Sequence, residues 1–235
     1  MYLTSSNSKT IKGEKKGYKT FILYLAPEKR NEMGKNLCAK SSEMCRLGCL
    51  FSSGLGGFGN VAKARIQKTN EFISDIPKFI EILSAEITVL KFKHKNLAIR
   101  LNGTSDFLFE NIKINGKNIF EIHSDVQFYD YTKYEKRVLN NKIKNYHLTF
   151  SRSENNQKET IKVLESGHNV AVIFDKLPQT YLGYKVINGD ESDLRFLDEK
   201  NVVVGLKYKN TTNKGASNIN KIVKESNFVV KSKDL

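Results

Sequence analysis

The sequence predicts an α/β protein, a partial or complete (β/α) TIM-like barrel with a three-cysteine loop after its first strand. Three observations carry that prediction. Short, continuous apolar runs alternate with helical stretches, as expected for parallel strands covered on both faces. The runs pass directly into polar or ionisable residues, which suits strands whose C-terminal ends line a ligand site. All three cysteines, Cys38, Cys45 and Cys49, fall in the segment after the first run.

The first strand is read at YKTFILYLAP (18–27), where β-branched and aromatic residues run up to Pro27. Helical spacing begins at Val61 and continues, after Asp75 as N-cap and Pro77 in the first turn, through IPKFIEILSAEITVLKFK. Ile76, Phe79, Ile80, Leu83, Ile87 and Leu90 share one face of that second helix. Strands are then expected within NLAIRLNGTSD (96–106), DVQFYDYTK (125–133), NYHLTFSRSE (145–154) and NVAVIFDK (169–176). Between the last two lies a short helix closed by Gly167. Residues 184–209 carry the turn Asn188-Gly189-Asp190 and read as a final crossover or a small β-hairpin. The expected organisation is a basic arm over 1–17, one barrel-like domain over 18–209 and a polar, basic segment over 210–235, either closing over the site or trailing as a tail.

At 235 residues and 39% hydrophobic content the chain can bury a sizeable core. No run of about 18 apolar residues argues for a membrane span, and the polar start MYLTSSNSKTIKGEKKG lacks the apolar stretch of a secretory signal. A cytoplasmic protein is expected. In that reducing setting clustered thiols favour metal or redox roles over disulfides, and an odd number leaves one unpaired. The formal net charge of +14 favours polyanions such as nucleic acid or a nucleotide. Its lysines are scattered among Asn and Ser, so a composition inherited from an AT-rich genome accounts for the charge equally well.

Six residues separate Cys38 from Cys45 and three separate Cys45 from Cys49. Thiolates at i and i+4 share a helical face, and a third on the same loop completes a three-point cradle. Such a cradle suits an iron–sulfur cluster, or zinc with a borrowed fourth ligand; the paired spacing usual for zinc is absent. The bland alternative is three small hydrophobes, set against the polar neighbours Lys40, Ser41, Ser42, Glu43 and Arg46. Gly56 and Gly57, in GLGGFGN, allow close backbone approach to a cofactor, though the segment is no P-loop.

At the next strand end, Arg100, Asn102, Thr104 and Ser105 offer a cation, an amide and hydroxyls to a zwitterionic or phosphorylated ligand, with a capped turn as the alternative. Asp106 and Asp130 are the candidate catalytic carboxylates, with a carboxylate pairing to Arg100 or Lys133 as the equal alternative for Asp130. Arg152 and Asp175 belong to the same rim, whereas the turn holding Asp190, Glu191, Asp193 and Arg195 reads as a charged surface turn or a weak metal site. His123 is the one histidine placed to serve as a fourth ligand. No nucleophile elbow or zinc-protease helix is present.

The spacing CxxxxxxCxxxC, followed by GLGGFGNVAKARIQKT, AIRLNGTSD, VQFYDYTK, YHLTFSRSE and GDESDLRFLD, resembles the bacteriophage gene product 88-like family over residues 18–208. The resemblance implies a phage origin and the host cytoplasm, without supplying a reaction. More distantly, three cysteines after the first strand of a (β/α) barrel look like the radical S-adenosylmethionine enzymes, which implies a 4Fe-4S cluster with S-adenosylmethionine as cofactor. Those enzymes space their cysteines by three and then two residues, and NGTSD stands where their GGEP-like segment would be. Two functions follow as expectations: an iron–sulfur enzyme acting on a nucleotide, nucleic acid or other anionic substrate, or a basic nucleic-acid-binding protein with a structural metal, stacking bases on Tyr129, Tyr131 and Tyr134. The sequence does not set the oligomeric state.

Overall fold

The computed structural model describes residues 1–5, 8–212 and 215–234. The parts of the expected N-terminal arm at 6–7 and of the C-terminal segment at 213–214 and 235 lie outside the described residues. The strands are β1 (Leu3–Thr4), β2 (Lys19–Leu23), β3 (Leu97–Arg100), β4 (Gln127–Thr132), β5 (Tyr146–Ser151), β6 (Val170–Phe174), β7 (Thr180–Tyr181), β8 (Tyr184–Asn188), β9 (Val203–Lys207) and β10 (Val229–Val230). The α-helices are α1 (Ser8–Glu14), α2 (Glu43–Leu47), α3 (Gly59–Ser74), α4 (Ile76–Lys93), α5 (Ile119–Ile122), α6 (Glu135–Leu139), α7 (Gln157–Glu165) and α8 (Ala216–Glu225).

These strands form one mixed sheet in the order β1-β2-β3-β4-β5-β6-β9-β8-β7, with β10 on β6. From β2 to β6 the strands are parallel and lie in chain order, and β9 follows in parallel beside β6. The two ends of the path, β1 and β7, are two-residue strands paired antiparallel to their neighbours. Among the described residues no ladder joins them, so the sheet is open and the expected barrel does not close. The physical reason is at those ends: each edge is a two-residue strand, too short to carry the staggered ladder that closure needs.

Register separates the two faces. Phe21, Ile99 and Phe128 stand in one row, continued by Tyr146, and Phe150, Val170 and Val203 in the next. On this face they meet Phe72 of α3, Phe79, Ile80, Leu83, Ile87 and Leu90 of α4, and Val163 and Leu164 of α7. The amphipathic pattern read from α4 is the one buried, and Asp75 caps the helix by accepting from the Lys78 amide while Pro77 occupies the first turn. Gly167 has a φ of 80°, as a helix-closing glycine should.

The opposite face presents Thr20, Ala98, Arg100, Tyr129, Tyr131, His147 and Thr149, and residues 190–198 fold back over it. Leu194 and Phe196 pack there on Ala98 and Tyr129. The hairpin expected within 184–209 is not formed there: the chain turns earlier, at Leu182-Gly183 between antiparallel β7 and β8, and the Asn188-Gly189-Asp190 turn leads instead into a crossover to β9, parallel beside β8. Beyond residue 210 the chain is not a featureless tail: α8 packs against α2, and β10 pairs with the second half of β6.

Candidate functional site

The loop after β2 and the loops after β3, β4 and β5 meet at the C-terminal edge of the parallel strands. Residues 102–106 are the junction. The Gly103 amide donates to the Leu23 carbonyl (3.0 Å) and the Asp106 amide to the Leu37 carbonyl (2.9 Å). Thr104 Oγ1 donates to the Leu25 carbonyl at 2.6 Å. A Cβ at position 103 would stand 2.6 Å from Ile22 Cγ2 and 2.8 Å from the Leu23 carbonyl oxygen, so only glycine admits this contact.

Asn102 ties the junction to β4. Its backbone amide donates to Asp130 Oδ1 at 2.8 Å, and its side-chain carbonyl accepts from Ser105 Oγ and the Phe107 amide, each at 2.8 Å. Asp130 is fully buried on the helix-covered face and also accepts from the Tyr146 hydroxyl at 2.9 Å. Burial pushes its carboxyl up to about 6 against the pull of Arg100 and Arg137. Asp106 accepts from the Lys133 amide (2.8 Å) and from Arg137 Nη1 (3.1 Å), and Arg137 also pairs with Glu110. Burial raises the Asp106 carboxyl, with Arg137 opposing.

Arg100 projects to the other face, apart from Asn102, Thr104 and Ser105. Its Nη1 meets Asp193 Oδ2 at 3.0 Å and its Nε lies 3.8 Å from Asp130 Oδ1. Burial lowers its affinity for a proton, but Asp193, Tyr131 and Asp130 outweigh that and keep it charged. Asp193 also accepts from the Tyr129 hydroxyl at 3.3 Å. The 190–195 turn is a surface turn only at its start: Glu191 is exposed and Asp190 half-buried, but Asp193 and Arg195 are 4% and 1% exposed, and Arg195 pairs with Asp198 at 3.2 Å.

Cys38, Cys45 and Cys49 are free and half-buried. Cys38 Sγ donates to the Thr104 carbonyl at 3.8 Å. Burial pushes the Cys38 thiol up to about 12, with negative charge on Cys49, Asp106 and Cys45 adding to the rise. Burial likewise pushes Cys49 up to about 11; Cys45 adds to it, while Arg30 and Arg65 oppose it. The thiols thus lie within electrostatic reach of one another. Cys45 rides on α2, whose N-cap is Ser42, and Glu154 from the loop after β5 clamps that helix start by accepting from Ser42 Oγ (2.7 Å) and the Met44 amide (3.0 Å). Its other side packs with Met44 and Leu47 against Val223 of α8. Gly56 is buried with the Leu50 and Phe51 carbonyls and Arg65 against its Cα, so its close backbone approach is to this loop; Gly57 follows it half-buried in the same turn.

A cavity of about 380 Å³ opens beside Cys38, lined by Leu37, Asp106, Phe107, Leu108, Ile112 and Tyr134 among others. Tyr134 faces it: burial raises its phenol, with Asp106 adding to the rise, Arg137 opposing, and Cys38 adding further. Tyr129 is shut under residues 190–198 and cannot stack a base, whereas Tyr131 is half-buried, with its hydroxyl enclosed and Arg100 over its ring at 4.8 Å. Arg152 is buried and donates to the Asn227 and Phe228 carbonyls, so it does not face an anion. Asp175 accepts from the Ser232 amide at 2.8 Å. His123 precedes β4, at the opposite edge of the sheet from the cysteines, and shares a 2.8 Å hydrogen bond with Ser84 of α4.

Three thiols on one loop, with Arg30 and Arg65 near Cys49, have the chemistry of a soft-metal or cluster donor set. As they stand, no three His, Cys, Asp or Glu side chains among the described residues are gathered closely enough to hold a metal ion. Sequence reasoning placed Glu154 at a polar strand end without giving it a partner, and passed over Arg137 and Tyr146. Glu154 sits in a strand-end loop and Arg137 in a short amphipathic helix, where charge reads as solvation; Tyr146 reads as ordinary strand filler.

No helix among the described residues is long and apolar enough to cross a membrane. Neither a curated relative nor a solved structure matches the sequence. The model of the gene product 88 family matches residues 1–224, beyond both ends of the resemblance carried by the motifs. The chain belongs to the gene product 88 family.

Proposed function

We propose that this chain is a phage iron–sulfur enzyme in which Cys38, Cys45 and Cys49 bind the cluster and the adjoining cavity takes the substrate. The observation that supports this most is the convergence of three free thiols, on the loop after the first parallel strand, with the 102–106 junction and the cavity at one sheet edge. Bound there, a cluster of the 4Fe-4S type would supply one-electron transfer, with S-adenosylmethionine as the candidate cofactor. A nucleotide, nucleic acid or other anionic substrate suits the charge of +14.

The chain's own residues have distinct tasks in this reading. Glu154 fixes the start of α2 and so the position of Cys45. Arg30 and Arg65 offset thiolate charge near Cys49. Loading a metal displaces the thiol protons, so binding strengthens as pH rises. Asp130, with its carboxyl near 6, holds or releases a proton at Oδ2 close to neutrality, where Tyr146 and Asn102 keep the carboxylate oriented.

The test is anaerobic expression followed by iron, sulfide and zinc analysis and an optical spectrum, for wild type and Cys45→Ala. Iron and sulfide in near-equal amounts, lost in the variant, are expected. Zinc alone, or no metal, overturns the reading. The high positive charge also favours a second one, a basic nucleic-acid-binding protein with a structural metal and no redox chemistry. Steeply salt-dependent oligonucleotide binding by protein that contains no iron and sulfide is its signature.

A further inference from the structure

Helix α4 buries one face in the core and leaves a second apolar stripe bare. Ile82, Val89 and Phe92 are 44%, 52% and 89% exposed, and Ala85 between them is exposed as well. Spacing alternates three, four and three residues, the pattern of a helix–helix seam. Phe92 stands out most, since a ring of that size held almost wholly in water is costly. Along one flank of the stripe lies a cavity of about 320 Å³, lined by Glu81, Ser84, Ala85, Thr88, Ile114 and Ile122 among others.

The stripe is its own complement when read backwards. Laid antiparallel against a second α4, Ile82 comes level with Phe92 and Ala85 with Val89, and the second half repeats the first by two-fold symmetry. Helical side chains lean toward the N-terminus, so the Phe92 ring of one copy reaches the level of the cavity on the other. A parallel arrangement would set Phe92 against Phe92 and leave both cavities empty. Charge chooses the same direction: antiparallel packing brings Glu81 level with the lysine-rich end of the other helix, Lys91, Lys93 and Lys95, and opposes the helix dipoles. Lys91 is already paired with Asp125 and Lys93 stands on the opposite flank of the stripe, which leaves exposed Lys95, just past the helix end, as the lysine that meets Glu81.

We infer that the protein is a homodimer joined through antiparallel α4 helices, with Phe92 of each copy seated in the cavity beside Ala85 of the other. The face lies on the far side of α4 from the sheet, so pairing leaves the cysteine edge open.

Sedimentation velocity of the full chain over a wide concentration range tests this. Wild type is expected to be dimeric. Phe92→Glu is expected to be monomeric with an unchanged circular dichroism spectrum, because the replaced ring is exposed in the single chain. Glu81→Lys is expected to weaken the dimer about tenfold, a size typical of single interface residues, and Lys95→Glu in the same chain to restore it. A monomeric wild type, or a dimer indifferent to Phe92→Glu, overturns the interface. Failure of the combined charge reversal to restore the dimer overturns the antiparallel direction.

Discussion

The cysteine edge and the face beneath residues 190–198 lie side by side and are held in opposite ways. Under residues 190–198, charge meets charge: Arg100 on Asp193, Arg195 on Asp198, with Tyr129 donating into the first pair. At the cysteine edge the thiols are half-buried, mutually repelling once ionised, and fixed mainly through their neighbours' backbone. One region matches its charges in pairs within the chain, although Arg100 Nε, Arg195 Nε and Asp198 Oδ2 are buried there without a hydrogen-bond partner among the described residues. The other keeps donor atoms whose charged forms still lack compensation, which is where a bound group has the most to contribute.

That contrast can be broken at its strong side first. Asp193→Ala leaves Arg100 buried beside only the more distant Asp130, and a loss of about 3–5 kcal/mol is expected in urea unfolding. Arg100→Met combined with Asp193→Leu should lose much less, because no lone charge is left inside. Equal losses in the single and double variants would show that packing, not charge, holds this face.

The next effect is a pH dependence. Burial, Arg195 and His168 push the His147 imidazole down to about 4 from 6.5, so the unfolded chain binds the proton more tightly. Its contribution is fully present above pH 6.5 and is lost as pH falls toward 4, on the order of 3 kcal/mol in all. Asp130 runs the other way, since a carboxyl raised to about 6 from 3.8 favours the folded state most at low pH. His147→Gln should therefore flatten the acid side of the stability curve, and a curve unchanged by the substitution would exclude His147 as the cause.

Two smaller effects probe the weaker side. Gly103→Ala pushes a methyl into Ile22 and the Leu23 carbonyl and is expected to cost about 1–3 kcal/mol while raising the reactivity of Cys38 toward alkylating reagents. Glu154→Gln removes the carboxylate from the Ser42 and Met44 donors, for a loss of about 1 kcal/mol, and should speed alkylation of Cys45 with little change elsewhere. Mass spectrometry of partially alkylated protein reads both. Unchanged Cys45 kinetics in the Glu154 variant would show that α8 alone holds α2 in place.

Periodicity made the parallel core legible. Helix α4 announces itself by Asp75, Pro77 and its apolar face, and each strand from β2 to β6 is a short apolar run with a polar end. The open edges were not legible, because two-residue strands such as Leu3–Thr4 and Thr180–Tyr181 carry no period. Nor was the burial of Asp193 and Arg195, since a run such as GDESDLR reads as solvated unless its partners on distant strands are known. Among the candidate residues grouped by strand ends, Asn102 bonds directly to Asp130, and Asp106 stands near both through Arg137. That grouping misdirected Arg100, because alternation along β3 turns its side chain to the face opposite Ile99.

Strand β6 is paired by β5 along its first half and by β10 along its second, through Val229 on Ile173 and Val230 on Phe174. The middle of the sheet therefore waits for residues that leave the ribosome long after its neighbours have done so. Until they arrive, the end of β6 offers an unpaired edge in the centre of the fold, a target for chaperones and proteases. A message cut short before Val229 would yield a chain that is marked for removal by its own incomplete sheet.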